Sequence, residues 1–338
     1  MISFKNDYSE LAHPNIFKLM NEYSNQQFNG YGLDSISEKA KDKIKKYFSD
    51  EVDIHFMIGG TSVNRTFISH VLKPYEAVIS AETGHINVHE TGAIESTGHK
   101  ILLVKTLDGK LKPKDIEDVF NNHVDEHMVI PKLVYISNTT EIGTLYTKEE
   151  LKALSAKCKE LDLYLYLDGA RLGVALTNDS NNLSLNDINS LTDAFYLGGT
   201  KNGALIGEAI IIKNKLLQSN FRHSIKQNGG MLAKGYLIGI QFEALFTDNL
   251  FFEIGKKAND MAKYLANGLK KLNTEFLYPQ VSNQVFITLN NSVVEELKTN
   301  FSFETWISGP EKSTIRLVTS WFTTTKFVDN FLSFIKNH

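Results

Sequence analysis

The chain has 338 residues, of which 42% are hydrophobic and 22% charged, and its formal net charge is −3 at pH 7. These values are ordinary for a globular protein of about two domains. The small negative charge and the lack of a dense basic face argue against nucleic acid as a partner. No apolar window approaches membrane-spanning length and the first residues do not form a signal peptide, so we expect a cytoplasmic protein without a membrane partner.

Short apolar runs alternate with amphipathic helical stretches from about residue 50 onward. This pattern is typical of strands and crossover helices in a mostly parallel sheet. Ser35 with Glu38 and Thr147 with Glu150 have the spacing of capping boxes, and each pair predicts the start of a helix. The seven predicted strands are 53–58, 77–80, 101–104, 132–137, 163–167, 194–197 and 208–212.

The pattern changes beyond about residue 245. A long helix over about 252–272 is followed by the strands VFITL and TIRLVT and by a final helix. We therefore predict an α/β chain with two domains. The large domain covers 1–245, including the N-terminal segment, and a small α+β domain covers 246–338.

Two polar residues at the ends of predicted strands point to covalent cofactor chemistry. The run LYLYL leads to Asp168, and Lys201 follows the next strand after Gly198 and Gly199. A carboxylate in this place suits the pyridine nitrogen of pyridoxal 5'-phosphate (PLP), and a desolvated lysine suits the Schiff base that holds this cofactor. Taken alone, Asp168 is better explained as a turn or cap and Lys201 as a loop lysine. Together they predict a PLP site.

The segment FMIGGTSVN is a candidate anion site. Gly59, Gly60, Thr61 and Ser62 lie between an apolar strand and a helix, where free backbone amides bind phosphate well. The segment matches neither GxGxxG nor a P-loop, and a tight turn explains it equally well.

Two arginines and a pair of histidines complete the set of candidates. Arg316, within an otherwise apolar strand, suits a substrate carboxylate or a structural ion pair, and Arg171 is the competing or cooperating candidate. His85 and His89 have helical spacing, but the zinc signature HExxH is absent and we predict no metal. A ring stacked on the cofactor, or a general base beside it, suits His85 better.

These motifs resemble the threonine aldolase and β-eliminating lyase family of fold-type I PLP enzymes. The resemblance spans nearly the whole chain and includes GGTSVN, GHINVHETGAIESTGHK, SNTTEIGTLY, LDGAR, GGTKNG and RLVTSW. It implies the PLP-dependent transferase-like fold of aspartate aminotransferase, with a large, mostly parallel seven-stranded sheet domain and a small C-terminal α+β domain. It also implies a homodimer or homotetramer with shared active sites.

The resemblance assigns roles to individual residues. It implies that Lys201 forms the Schiff base, that Asp168 pairs with the pyridine nitrogen and that His85 stacks on the ring. It implies that the phosphate is bound by four residues, namely Gly60, Thr61, Ser62 and Thr200. It implies that the substrate is bound by Asn6, Arg171, Arg316 and Tyr31. Of these, Tyr31 would reach the substrate across a subunit interface.

Two positions depart from the family pattern. Bacterial relatives carry Asn-Thr-His where this chain has Asn138, Thr139 and Thr140, so a histidine proposed to act at the substrate hydroxyl is absent. The identity of the base is therefore open. Thr200 replaces the serine of many relatives and keeps a hydroxyl for the phosphate.

The implied reaction is the aldol cleavage of a β-hydroxy amino acid, L-threonine or L-allo-threonine, to glycine and acetaldehyde. Elimination of a β-substituent or transamination needs the same lysine and aspartate, and both remain alternatives. A hypothesis of another class is a non-catalytic nucleotide-binding protein that uses GGTSVN without a covalent cofactor.

Overall fold

A large sheet and a small sheet organise the chain in the computed structural model, which describes all residues from Met1 to His338. The strands are β1 (Ile2–Ser3), β2 (Asp53–Met57), β3 (Glu76–Ala81), β4 (Ile101–Val104), β5 (Ile130–Ser137), β6 (Tyr164–Asp168), β7 (Ala194–Gly198), β8 (Glu208–Ile212), β9 (Glu275–Phe276), β10 (Gln284–Asn290), β11 (Phe301–Ser302), β12 (Glu304–Ser308) and β13 (Lys312–Val318). The helices are α1 (Pro14–Glu22), α2 (Ser35–Lys45), α3 (Gly60–Val71), α4 (His85–Val88), α5 (Pro113–Asn121), α6 (Lys148–Glu160), α7 (Leu172–Leu176), α8 (Leu185–Leu191), α9 (Phe221–Gln227), α10 (Tyr236–Leu245), α11 (Leu250–Lys271), α12 (Asn291–Leu297) and α13 (Thr325–Lys336).

The large sheet contains seven strands in the order β2-β8-β7-β6-β5-β3-β4. Strand β8 runs antiparallel to both of its neighbours, and the other pairs are parallel. Side chains of β6 alternate between two cores, because Leu165 and Leu167 join one apolar cluster and Tyr166 joins the other. Burial on both faces explains why these strands are nearly continuous apolar runs. All seven predicted strands are confirmed.

One of the two predicted capping boxes is confirmed and the other is wrong. Thr147 caps α6, and its hydroxyl and the Glu150 carboxylate each accept the other residue's backbone N–H. At α2 the cap is instead Asp34, whose carboxylate accepts the Ser37 N–H at 2.7 Å, and Ser35 is the first helical residue. The aspartate one residue earlier supplies the side-chain oxygen that accepts the free amide of the first turn, so the serine is not needed as a cap.

The small sheet has the order β12-β13-β10-β9 and carries its own apolar cluster. The long helix predicted over 252–272 is α11, and the strands predicted at VFITL and TIRLVT are β10 and β13. The first strand of the chain, β1, pairs with β11, and Phe4 packs in the C-terminal cluster. The N-terminal segment therefore lies on the C-terminal part of the structure, and the division at 245/246 remains a prediction.

Helix α11 packs closely against α7, the short helix that follows Arg171. A Cβ atom added at Gly255 of α11 would lie 2.2 Å from the carbonyl oxygen of Gly173 in α7. Asn259 of α11 donates a hydrogen bond to the Val174 carbonyl at 2.8 Å. The two helix backbones thus meet without an intervening side chain, which holds the turn that carries Arg171.

No helix of the chain has both the length and the apolar character needed to cross a bilayer.

Candidate active site

Asp168 and Lys201 come together at the carboxyl edge of the large sheet. Strands β6 and β7 are parallel neighbours that end at Asp168 and Gly198, and the Gly198 N–H donates to the Gly169 carbonyl at 3.0 Å. Lys201 lies in the short 3₁₀ turn that follows β7. The carboxyl edge is where open α/β sheets bind ligands.

Four donors surround the buried carboxylate of Asp168. The hydroxyls of Tyr135 and Tyr196, from the strands on either side, donate to Oδ2 and Oδ1, each at 2.6 Å. The Asn64 side-chain amide and the Ala170 backbone N–H each donate at 3.0 Å. Charge-assisted hydrogen bonds of this kind favour the ionised form of the carboxylate.

The pKa of Asp168 follows from two opposed effects. Burial by itself raises this pKa, but the charge of His85 and the hydrogen bonds from both tyrosines outweigh it, so the pKa lies below the ordinary value of 3.8. Asp168 is therefore an anion at neutral pH, as a partner for a protonated pyridine nitrogen must be.

Lys201 is an amine without an anionic partner. Its Nζ makes no ion pair or hydrogen bond, and it lies 6.0 Å from the centroid of the Tyr8 ring. Burial and the positive charge of Arg171 lower the pKa of Lys201 below its ordinary value of 10.5. A lowered pKa increases the neutral, nucleophilic fraction of the amine, and a Schiff-base lysine needs that form.

The predicted phosphate site lies at the N-terminus of the 12-residue helix α3. Gly60 is required there, because a Cβ atom would lie 2.9 Å from the Tyr196 hydroxyl. The Ser62 hydroxyl is buried without a hydrogen-bond partner, and Thr200 accepts the Gly207 N–H at 3.1 Å. A buried orphan hydroxyl beside the free amides of a helix start fits a phosphate group. Thr61 is exposed at the same turn.

Both predicted carboxylate-binding arginines have acidic partners. The Arg171 guanidinium donates through Nε and Nη2 to the two oxygens of buried Asp7, at 2.7 and 3.2 Å. Arg316 donates through Nη2 to Glu304 and through Nη1 to Gln284 at 3.4 Å, while its buried Nε has no partner. Each arginine is thus in an ion pair and still has donor N–H groups that this pairing does not use.

Of the three remaining predicted site residues, Asn6 and His85 lie next to residues of this cluster and Tyr31 does not. Asn6 precedes Asp7 in a turn, where its side-chain oxygen accepts the Tyr8 N–H at 3.0 Å. His85 is half-buried, and its charge acts on Asp168. Tyr31 lies outside this cluster, is 44% exposed and has the Lys226 ammonium 4.9 Å from its ring centroid.

Sequence reasoning missed several residues of the site. The tyrosines of β5 and β7 had a signal, because a hydroxyl inside an otherwise apolar strand needs a buried partner. Glu208 had a similar signal at the start of β8. It accepts the Gly199 N–H at 2.7 Å, and burial raises its pKa to about 7. Asp7, Asn64 and Glu90 had no local signal, since their partners lie far away in the chain or in an irregular segment.

The strand order, the small second sheet and the aspartate and lysine at adjacent strand ends define the class of protein. This is the fold-type I architecture of aspartate aminotransferase. The Thermus thermophilus aspartate aminotransferase superimposes with a TM-score of 0.74, covering 100% of this chain and 91% of that chain at 14% sequence identity. At that identity the likeness concerns the fold.

The sequence pattern of the β-eliminating lyase family matches residues 18–292, and the chain belongs to this family. It is 32% identical to the low specificity L-threonine aldolase of Pseudomonas aeruginosa, over 94% of this chain and 92% of that protein. A structure of Leishmania major threonine aldolase superimposes with a TM-score of 0.98 at 49% identity, covering 100% of this chain and 99% of that chain. The family predicted from the sequence is confirmed.

The Asp7–Arg171 ion pair supports a prediction about stability. Burial opposes ionisation of Asp7, but the charges of Arg171 and Lys201, together with the hydrogen bonds from Arg171 and Asn283, outweigh it and hold its pKa below 3.8. We expect Asp7→Asn to lower the free energy of unfolding by about 3–5 kcal/mol at neutral pH, because it leaves a buried guanidinium without its counter-charge. Urea denaturation followed by circular dichroism measures the loss.

The pH dependence and a surface variant serve as controls. A depressed carboxyl pKa contributes stability above the unfolded pKa and loses it as pH falls through the folded pKa. The difference between Asp7→Asn and the wild type should therefore shrink as pH falls below 3.8. Asp50, in a solvent-exposed pair with Lys213 at 3.6 Å, gives the control Asp50→Asn, which should cost about 1 kcal/mol or less. Equal losses in the two variants would contradict the assignment.

Proposed function

We propose that this chain cleaves the Cα–Cβ bond of a β-hydroxy amino acid, L-threonine or L-allo-threonine, to give glycine and acetaldehyde, with PLP bound to Lys201. The observation that carries the proposal is an unpaired amine of lowered pKa at Lys201 beside the ionised, four-fold hydrogen-bonded Asp168. The relatives named low specificity L-threonine aldolase and the Leishmania major threonine aldolase support this choice of reaction.

The residues of the site fit PLP. Lys201 would hold its aldehyde carbon, Asp168 its pyridine nitrogen, and Gly60, Ser62 and Thr200 its phosphate. Thr61 and the ring of His85 would complete the binding site. When bound, PLP supplies a conjugated, protonated ring that delocalises the electron pair left on Cα after Cβ departs.

The chain's own residues position the substrate and move its protons. Arg316 and Arg171 bind the substrate carboxylate through the N–H groups that their acidic partners leave free. The Lys201 amine, whose pKa is lowered by burial and by the charge of Arg171, returns a proton to Cα. The reaction is balanced, because the β-hydroxyl loses one proton, Cα gains one, and no oxidant is consumed.

The base at the β-hydroxyl is not Thr140, which stands where bacterial relatives have histidine. Its hydroxyl lies 2.7 Å from that of Thr144, and the Thr144 N–H donates to it at 3.1 Å. A threonine hydroxyl has no basicity near neutral pH, so it replaces the histidine sterically and not chemically.

Lys201→Ala tests the proposal directly. The variant should lose both the Schiff-base absorbance of the PLP-reconstituted protein and all production of glycine and acetaldehyde from threonine, because no amine remains to bond covalently to the cofactor. Lys215→Ala, at a lysine whose side chain is 75% exposed, is the matched control and should keep both. Absorbance spectroscopy and product quantification measure the two effects.

The products decide between the candidate reactions. Ammonia and a keto acid would favour β-elimination, and an amino form of the cofactor would favour transamination. A wild-type protein that stays colourless with added PLP would favour the non-catalytic nucleotide-binding protein. Full turnover by Lys201→Ala would end the proposal.

Arg316 provides a second test, on substrate binding. A hydrogen bond to a charged group is worth about 1.5–3 kcal/mol, so Arg316→Gln should raise KM for threonine about tenfold or more. Glu304→Gln removes the acidic partner of Arg316 and leaves its guanidinium in place. If Arg316 binds substrate, only the first variant raises KM in steady-state assays. If the ion pair is purely structural, both variants have the same effect.

We also propose that the chain forms a homodimer or homotetramer with shared active sites, in which Tyr31 of one copy reaches the site of another. Large apolar side chains are exposed around the candidate site, and Tyr8, Ile58, Leu205 and Ile206 are 52%, 37%, 38% and 38% exposed. Such a cluster favours contact with a second copy. Sedimentation equilibrium should give a mass at least twice the 38.1 kDa of one chain, and a monomer would contradict this proposal.

A further inference from the structure

A buried chain of hydrogen bonds connects His85 to Asp168. Nδ1 of His85 lies 2.8 Å from Oε1 of Glu90, and the Asn64 side-chain amide donates to the same oxygen at 2.7 Å. The same amide group donates to Oδ2 of Asp168 at 3.0 Å. The Tyr166 hydroxyl donates to the Asn64 carbonyl oxygen at 2.9 Å, which fixes the orientation of this amide.

Glu90 is the centre of this chain and is expensive to bury. Its side chain is 0% exposed, and its second carboxylate oxygen has no hydrogen-bond partner. Burying a carboxyl group with one oxygen unsatisfied costs free energy that an apolar side chain of similar size would avoid. Fold stability therefore does not explain a glutamate here, and its contacts point towards His85 and Asp168.

We propose that Glu90 is the positioning residue for His85, and that Asn64 links it to Asp168, so that one buried bridge orients both groups that grip the cofactor ring. This inference rests on the proposed function, because it assumes that the ring binds between His85 and Asp168. Glu90 itself touches neither substrate nor cofactor. It acts through the imidazole.

The bridge fixes both the orientation and the charge of His85. A carboxylate oxygen accepts hydrogen bonds, so the His85 Nδ1–H donates to Oε1 of Glu90. Burial is the largest single effect and lowers the pKa of His85, but the hydrogen bond to Glu90 together with the charges of Glu141 and Asp168 outweighs it, so the net pKa is raised above 6.5.

The other groups that face His85 have smaller effects. The negative charges of Glu141 and Asp168 raise its pKa further, and the positive charge of Lys201 lowers it. The ring centroid of His89 lies 5.4 Å from that of His85. Among these groups Glu90 makes the direct hydrogen bond to the imidazole, so its charge is the one to remove.

Glu90→Gln tests this inference, because it keeps the size of the side chain and one acceptor oxygen but removes the charge. We expect the pKa of His85 to fall by about one unit or more, since an opposite charge at hydrogen-bond distance shifts a pKa by about 1–3 units. Nitrogen NMR of histidine-labelled protein measures this pKa in the PLP-free and PLP-loaded chain. His85→Asn assigns the signal.

Affinity for PLP is the second readout. Glu90→Gln should weaken PLP binding about tenfold, because the histidine ring loses its fixed orientation, and Glu90→Asp should restore part of the His85 shift. Glu95→Gln is the matched control, since Glu95 is exposed in the same segment and its side chain makes no hydrogen bond. That variant should change neither quantity.

The outcomes separate this inference from the proposed function. An unchanged His85 pKa in Glu90→Gln overturns the inference, as does a wild-type His85 that titrates at or below 6.5. The measurement on the wild type tests the inference even if the Glu90→Gln variant does not fold. A wild type that releases no glycine from any β-hydroxy amino acid instead overturns the proposed function. In that case the NMR and affinity measurements still test whether Glu90 positions His85.

Discussion

The ionised carboxylate of Asp168 is the constraint on which the rest of the site depends. A buried charge without partners costs several kcal/mol, and here the donors that offset this cost come from β5, β7, α3 and the turn after β6. Each donor must therefore be held in place by the large sheet. Tyr135 pairs with Tyr166 across β5 and β6, which puts both tyrosines on the face that carries Asp168. A register slip of one residue would turn a tyrosine hydroxyl to the opposite core.

The need to neutralise buried charges also connects the large sheet with the small sheet. Arg171 follows β6 directly, lowers the pKa of Lys201 and is itself neutralised by Asp7 from the N-terminal segment. Asp7 also accepts a hydrogen bond from Asn283, just before β10, at 3.0 Å. Because β1 pairs with β11, this segment is anchored on the C-terminal part of the chain. The charges that act on Lys201 thus include one from the N-terminal segment, Asp7, and one from the turn after β6, Arg171.

Each buried acidic residue of the site has its own donor, and the lysine has no acidic partner. Asp168, Glu90 and Asp7 are each buried and each contact a specific donor, while Lys201 has no anionic partner. A lysine paired with a carboxylate would stay protonated and unreactive. The acidic residues therefore satisfy the histidine, the asparagine and the arginine around the amine and leave the amine itself available.

The sequence by itself determined the large sheet and the central pair of the site. Each of the seven strands is a local apolar run, and Asp168 and Lys201 follow two such runs directly, so their positions depend only on neighbouring residues. One prediction from neighbouring residues was wrong: at the start of α2 the N-cap is Asp34 and not Ser35. Only the tertiary structure decided that Arg171 pairs with Asp7, which is 164 residues away, and that Glu90 contacts His85 and Asn64. Such contacts join segments distant along the chain or in irregular turns, and they leave no periodic pattern because they arise only when the sheet brings those segments together.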